Sequence, residues 1–148
     1  MNTVQRVNIN ETAPQAIKAM YALVGYLGTI QLSKTSMELL KIRASQINGC
    51  AYCIDMHTKE ALKNGETTQR IFLLNAWRET SLFTPEERLV LAMTEEITLI
   101  HQQGLSEATY AKALALFDEQ LIAQIIMAIV TINAWNRIAI STQLQPGQ

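Results

Sequence analysis

Apolar residues recur along the chain at intervals of three and four, and no stretch alternates apolar and polar residues as a half-buried strand would. This periodicity predicts an all-helical (all-α) fold with about six to seven helices. The first predicted helix covers Ala13 to Gly28, with Pro14 in its first turn. Its apolar residues fall on one face: Ile17, Met20, Tyr21, Val24 and Leu27.

Helix-capping residues predict where further helices begin. The clearest start is Thr84-Pro85-Glu86-Glu87, which combines an N-cap threonine, a proline at the first helical position and a glutamate for a capping box. The last helix is apolar on nearly every side, so other helices or another subunit must cover it. The approximate predicted ranges are Ser33 to Gln46, Cys50 to Asn64, Thr67 to Glu79, Thr84 to Gln102, Ser106 to Phe117 and Asp118 to Thr142.

Length and charge limit the function classes. The chain has 148 residues without a linker or a repeat, so we expect a single domain over residues 1–148. Its 12 basic and 13 acidic side chains give a net charge of −1 without a basic cluster, which argues against a nucleic-acid partner. Because the polar N-terminus lacks a secretory signal and the apolar run from Leu121 to Trp135 is short for a bilayer span, we expect a cytoplasmic protein with no membrane partner.

Both cysteines and one of the two histidines lie together in the stretch NGCAYCIDMHTKE, residues 48–60. On a helix that starts at Cys50, the residues Cys50, Cys53 and His57 stand at i, i+3 and i+7 and share one face. The helix N-terminus favours a thiolate at Cys50, whereas His57 can reach back to Cys53 as a general base. The residues alone therefore leave two candidate nucleophiles.

A histidine that acts as a base needs a carboxylate to orient its ring. Helical geometry points Asp55 and Glu60 to other faces than that of His57. Glu38 lies amid apolar residues on the preceding helix and can face His57 if the two helices form an antiparallel hairpin. We therefore predict a proton relay from Glu38 through His57 to Cys53.

Glu38, eleven intervening residues, the run Cys50-Ala51-Tyr52-Cys53 and His57 together resemble the Glu-x11-Cys-x-x-Cys-x3-His signature of the AhpD-like alkylhydroperoxidases, within the carboxymuconolactone decarboxylase superfamily. The stretches FTPEERLVLAMTEEITLI and INAWNRIAI also resemble the second half of that domain. The AhpD proteins are longer, with a duplicated helical unit, and carry a histidine where this chain has Tyr52. The chain thus resembles a shorter, single-unit branch.

The resemblance implies a thiol-dependent peroxidase that uses a Cys50–Cys53 dithiol/disulfide cycle and no bound cofactor. In that pattern Cys53 is the peroxide-reactive thiol, Cys50 resolves it, and Glu38 and His57 form the relay. The implied partners are a peroxide substrate, an unknown dithiol or protein reductant, and further copies of the chain in a trimer or hexamer.

Other interpretations remain open. A zinc site needs a fourth ligand, which Glu38 can supply, although structural sites usually pair two Cys-x-x-Cys or Cys/His halves; inert core packing is a second alternative. The dithiol also suits a general thiol-disulfide oxidoreductase or a non-catalytic redox-sensing oligomeric module. A decarboxylase-like lyase is disfavoured, because such members of the superfamily lack this cysteine pair. His101, the second histidine, suits a capping or surface role near a helix end.

Overall fold

The computed structural model describes residues 4–147 and shows helices but no strand in that range. The predicted all-helical class is therefore confirmed. The helices are α1 (Ile9–Thr12), α2 (Pro14–Leu27), α3 (Lys34–Asn48), α4 (Ala51–Lys63), α5 (Thr68–Phe72), a 3-10 helix (Leu74–Glu79), α6 (Pro85–Thr98), α7 (Glu107–Leu116) and α8 (Glu119–Thr142). Within the described residues this exceeds the predicted number, because the short α1 was not predicted and the fourth predicted helix is divided.

Side-chain caps begin most helices at the predicted residues. Each of the six residues predicted to start a helix accepts a hydrogen bond from the backbone N–H three positions later, which satisfies a donor that has no partner within the helix. The six residues are Ser33, Cys50, Thr67, Thr84, Ser106 and Asp118. Gly49 ends α3 at φ 71°, a left-handed conformation that glycine adopts without steric cost.

The prediction of one helix from Thr67 to Glu79 is wrong in one respect. The segment is divided at Leu73 into α5 and the 3-10 helix. Ala76, within the 3-10 helix, has non-helical φ and ψ of −115° and 23°. Leu74 and Trp77 on either side of it are buried in the core. Core packing thus prevails here over the local preference for a continuous helix.

The end predicted for the fifth helix is also wrong, since α6 ends at Thr98 rather than at Gln102. The chain turns back at this point, and Glu96 accepts hydrogen bonds from the Ser106 backbone N–H at 2.8 Å and from the Thr109 hydroxyl at 2.6 Å. One carboxylate therefore holds the start of α7 against α6.

α3 lies at the centre of the fold and packs against α4, α6 and α8. Leu40 on α3 belongs to a core cluster shared mainly with α6, α7 and α8, whereas Leu39 and Ile42 belong to a second cluster shared with α4, α5 and α6. All three side chains are at most 1% exposed. The helix that carries Glu38 is thus fixed from several sides.

Among the helices of residues 4–147, only α8 is long and apolar enough to cross a membrane by length and composition. In this structure it packs as a core helix, with Ile125 and Ile129 fully buried. Its buried Asn136 accepts a hydrogen bond from Asn48 Nδ2 and donates one to Ser45 Oγ, each at 2.9 Å. These bonds tie α8 to the end of α3.

Glu95 on α6 is half-buried and accepts hydrogen bonds from several side chains, two of which are arginines. It accepts hydrogen bonds from Arg43 Nε and Trp77 Nε1, each at 2.9 Å, and from Arg78 Nη1. Burial alone would raise the pKa of Glu95, but the hydrogen bonds from Arg78, Trp77 and Arg43 together lower it below 4.5.

Glu95→Gln is expected to lower the free energy of unfolding at neutral pH by about 2–3 kcal/mol, because Arg43 would keep its charge without its carboxylate partner. Since the pKa of Glu95 is lower in the folded state, its ionisation stabilises the fold above pH 4.5 and this contribution is lost as pH falls through the folded-state pKa. Urea unfolding over this range should therefore show wild type and variant converging in acid. The exposed Glu79→Gln serves as a control, and a difference independent of pH would contradict the assignment.

Candidate active site

The α3–α4 hairpin brings Glu38 against His57. Glu38 Oε2 lies 2.9 Å from His57 Nδ1. Because an ionised carboxylate only accepts hydrogen bonds, Nδ1 carries the proton of the neutral ring and leaves Nε2 as its basic atom. The structure thus places together the two residues that the sequence proposed as a relay, on adjacent helices as expected.

Glu38 has a second hydrogen-bond partner, the ammonium group of Lys41. It is 6% exposed, and its Oε1 accepts a hydrogen bond from Lys41 Nζ at 2.9 Å. Burial would raise the pKa of Glu38, but the hydrogen bond from His57 and the charge of Lys41 lower it below 4.5. Glu38 therefore stays ionised at neutral pH and can stabilise positive charge on His57.

Cys50 and Cys53 are joined by a disulfide at the start of α4, with their Cα atoms 5.4 Å apart. Both side chains are buried, at 1% and 2% exposure. Cys50 is the N-cap residue, and its Sγ accepts a hydrogen bond from the Cys53 backbone N–H at 3.3 Å. When the disulfide is opened, this N–H and the positive end of α4 favour the thiolate form of Cys50.

A cavity of about 600 Å³ lies beside the disulfide. Of the two cysteines, only Cys53 borders it, together with His57 and Glu38. Cys50 is buried in the cluster that also contains Cys53 and Ala139. The cavity therefore distinguishes two thiols that the sequence alone left equivalent.

The wall of the cavity opposite the α3–α4 hairpin comes from distant parts of the chain. Tyr21 on α2 and Trp135 on α8 both border it, with ring centroids 5.5 Å apart. The N-terminal residues Val7 and Ile9 close another side. No local signal in the sequence placed these residues at the site, because the assembly of three separate segments brings them there.

Three further residues in and beside the motif differ in where their side chains lie. Glu60 borders the cavity, so the prediction that it points to another face was wrong; its i+3 spacing from His57 was the signal. Asp55 pairs instead with Lys59 at 2.9 Å, away from the relay as expected. Tyr52, which departs from the AhpD pattern, borders the cavity and packs in the cluster that contains the cysteines.

Within residues 4–147, no group of three or more His, Cys, Asp and Glu residues is arranged to hold a metal ion. Glu38, the fourth ligand that a zinc site would require, is bound to His57 and Lys41. His101 is exposed in the turn that follows α6, as expected for a surface residue. The groups at this site that can carry out redox and proton-transfer chemistry are the Cys50–Cys53 pair and the Glu38–His57 pair.

Comparisons with known proteins identify the family of the chain. Residues 13–96 match the carboxymuconolactone decarboxylase family. The uncharacterized protein YdfG of Bacillus subtilis (strain 168) is 43% identical over 137 residues, which are 93% of each chain. Both findings concern the region that carries the motif.

Solved structures show the same fold. A protein of unknown function from Agrobacterium tumefaciens (ATU0492), for which a role as the antioxidant defence protein AhpD has been suggested, matches with a TM-score of 0.93 and 37% identity over 98% of this chain and 99% of that one. An uncharacterized peroxidase-related protein from Ralstonia eutropha JMP134, described as an alkylhydroperoxidase AhpD core, matches in fold with a TM-score of 0.81 and 17% identity over 94% of this chain and 74% of that one. The chain therefore belongs to the carboxymuconolactone decarboxylase family and has the AhpD-like fold.

Proposed function

We propose that the protein is a thiol-dependent peroxidase of the alkylhydroperoxidase type, in which Cys53 attacks the peroxide and Cys50 resolves the product. The observation that carries this proposal is the shared cavity: Cys53 and His57 both border it, and Cys50 does not. The suggested antioxidant role of the Agrobacterium protein, which is 37% identical, supports the same chemistry.

The relay supplies the proton transfers of the first step. His57 Nε2 takes the proton of the Cys53 thiol, and the ionised Glu38 stabilises the resulting imidazolium through Nδ1. The thiolate attacks the terminal peroxide oxygen, the O–O bond breaks, and the departing alkoxide takes the proton from His57. The peroxide is thereby reduced to an alcohol, and Cys53 is oxidised to a sulfenic acid.

The second step returns the site to the disulfide. Cys50 attacks the sulfenic sulfur of Cys53, the S–S bond forms, and the oxygen leaves as water. A dithiol or protein reductant then attacks the sulfur of Cys53, which is the one on the cavity side, and releases Cys50. Because the N-cap position stabilises the Cys50 thiolate, Cys50 is the better leaving group.

The cavity favours this function over the alternatives. A space of about 600 Å³ beside the buried Cys53 has the size of a small-molecule site and suits a small-molecule oxidant. A lyase has no need of a disulfide-forming pair of cysteines at one helix start. A redox sensor shares the first oxidation but does not turn over, so turnover separates it from a catalyst.

Assembly and location are part of the proposal. We propose a homo-oligomer, a trimer or hexamer, in the cytoplasm, with no membrane or nucleic-acid partner. Exposed apolar residues on α2 and α8 support self-association: Tyr26, Val130 and Ile140 are each between 44% and 47% exposed.

Rapid mixing tests the first half-reaction. Fully reduced protein mixed with excess cumene hydroperoxide should lose both thiols, with one peroxide converted to alcohol per chain in the absence of reductant. Quenched-flow mass spectrometry would count thiols against time. Thiols that stay free on a timescale at which glutathione itself is oxidised would overturn the proposed function.

A further inference from the structure

Met56 places a third sulfur atom at the cavity. It stands one helical turn after Cys53 on α4, directly before His57, and it borders the same cavity. Its side chain is 43% exposed, whereas the cysteines are buried. A molecule that enters the cavity toward Cys53 can therefore contact the thioether sulfur of Met56.

We propose that Met56 is a second peroxide-reactive site of this cavity, oxidised to the sulfoxide when Cys50 and Cys53 are already joined as a disulfide. The inference rests on the proposed function, in that it takes an organic peroxide as the molecule that enters. The thioether sulfur attacks the terminal peroxide oxygen, the O–O bond breaks, and the proton of the hydroperoxide ends on the departing alcohol oxygen. Sulfur is oxidised by two electrons and the peroxide is reduced by two.

Oxidation of Met56 matters when Cys50 and Cys53 are joined as a disulfide. Once the dithiol is spent, the site holds no thiol until a reductant arrives, and further peroxide in the cavity meets Met56 as the most exposed sulfur. The other methionine of the wall, Met37, is only 8% exposed. Oxidation turns an apolar part of the wall into a polar sulfoxide, which is expected to weaken binding of apolar peroxides until a sulfoxide reductase restores it.

Met127 provides an internal control for exposure. It is 37% exposed, close to the value for Met56, but lies on α8 outside the cavity wall. If exposure alone decides oxidation, the two methionines should react at similar rates. If the cavity concentrates an apolar peroxide, Met56 should react faster.

The test uses wild-type protein in its disulfide form, treated with cumene hydroperoxide and analysed by peptide mass spectrometry for sulfoxide at each methionine. Met56 should be oxidised about tenfold faster than Met127, the ratio expected from modest apolar binding of the peroxide. The ratio should fall toward unity with hydrogen peroxide, which has no apolar group to bind. Adding 2-phenyl-2-propanol, the unreactive alcohol of the same shape, should slow oxidation of Met56 alone.

Equal rates at Met56 and Met127 with cumene hydroperoxide, or no effect of the alcohol, would overturn the inference. The thiol count on reduced protein tests the proposed function separately. If Met56 is oxidised preferentially but the thiols of the reduced protein do not react, the inference holds and the proposed peroxidase function fails. If the thiols react but Met56 is not oxidised preferentially, the proposed function holds and the inference fails.

Discussion

Cys53→Ser is expected to reduce peroxide consumption to the uncatalysed background, even with excess dithiol reductant. A serine hydroxyl has no accessible oxidised state, so neither the sulfenic acid nor the disulfide can form. The fold should survive, because serine and cysteine side chains have the same shape and the sulfur of Cys53 takes no part in capping α4; only the Cys53 backbone N–H does, as donor to Cys50 Sγ. Coupled consumption of cumene hydroperoxide, followed over many equivalents, measures the loss.

Cys50→Ser is the matched control. It should keep the first oxidation at Cys53 and lose the disulfide, so that one equivalent of peroxide is consumed and a sulfenic acid accumulates that dimedone traps at Cys53. The hydroxyl of serine can still cap α4, which preserves the helix start. Trapping at Cys50 in the Cys53→Ser protein, at the wild-type rate, would reverse the two assignments.

This pair of variants addresses the question that sequence reasoning left open. Helix position favours Cys50 as the more acidic thiol, and the spacing to His57 favours Cys53. Both arguments are local; in the structure Cys50 is the N-cap residue of α4, and His57 and Cys53 border one cavity. Only the position of the cavity, which depends on α2 and α8, shows which sulfur a small molecule can approach.

The helix starts were predictable because their signals are local. A side chain such as Ser33 or Thr84 needs only the N–H three residues ahead, and the nearby sequence supplies it. The break at Ala76 and the early end of α6 were not predictable in this way. They depend on burial of Trp77 and on the bonds of Glu96 to α7, which are tertiary contacts.

The candidate site also has one part that could be predicted from local sequence and one part that could not. Glu38, Cys50, Cys53 and His57 lie on one hairpin, so spacing and a single turn were enough to predict their meeting. The cavity wall was not predictable, since residues such as Tyr21 and Trp135 are far apart in sequence. Sequence spacing therefore predicted the reactive side chains, whereas the cavity through which a small molecule reaches them depends on tertiary structure.

Glu38→Gln is expected to slow the oxidation of Cys53 at neutral pH by about 10- to 100-fold, as for the loss of a group that supports acid–base catalysis. The glutamine carbonyl can still accept from His57 Nδ1, so the ring keeps its position. What is lost is the negative charge that stabilises the imidazolium formed when His57 takes the thiol proton. Glu38 acts through His57 and is a positioning residue, not one that touches the peroxide.

Glu60→Gln is the matched control, because Glu60 also borders the cavity but is exposed and stands on α4 beyond His57. It should change the rate little. Stopped-flow oxidation of reduced protein, measured from neutral to alkaline pH, separates the relay from a structural effect. As hydroxide ionises the Cys53 thiol directly, the deficit of Glu38→Gln should shrink with rising pH.

The acid side of the same profile follows from the lowered pKa of Glu38. Because Glu38 stays ionised until the pH is below 4.5, protonation of this carboxyl should not switch off the relay anywhere near neutrality. On the acid side of neutrality, wild type and Glu38→Gln should approach each other only below pH 4.5, where both lack the charge. An unchanged rate in Glu38→Gln at neutral pH would remove Glu38 from the mechanism, and a deficit constant at every pH would assign it a structural role only.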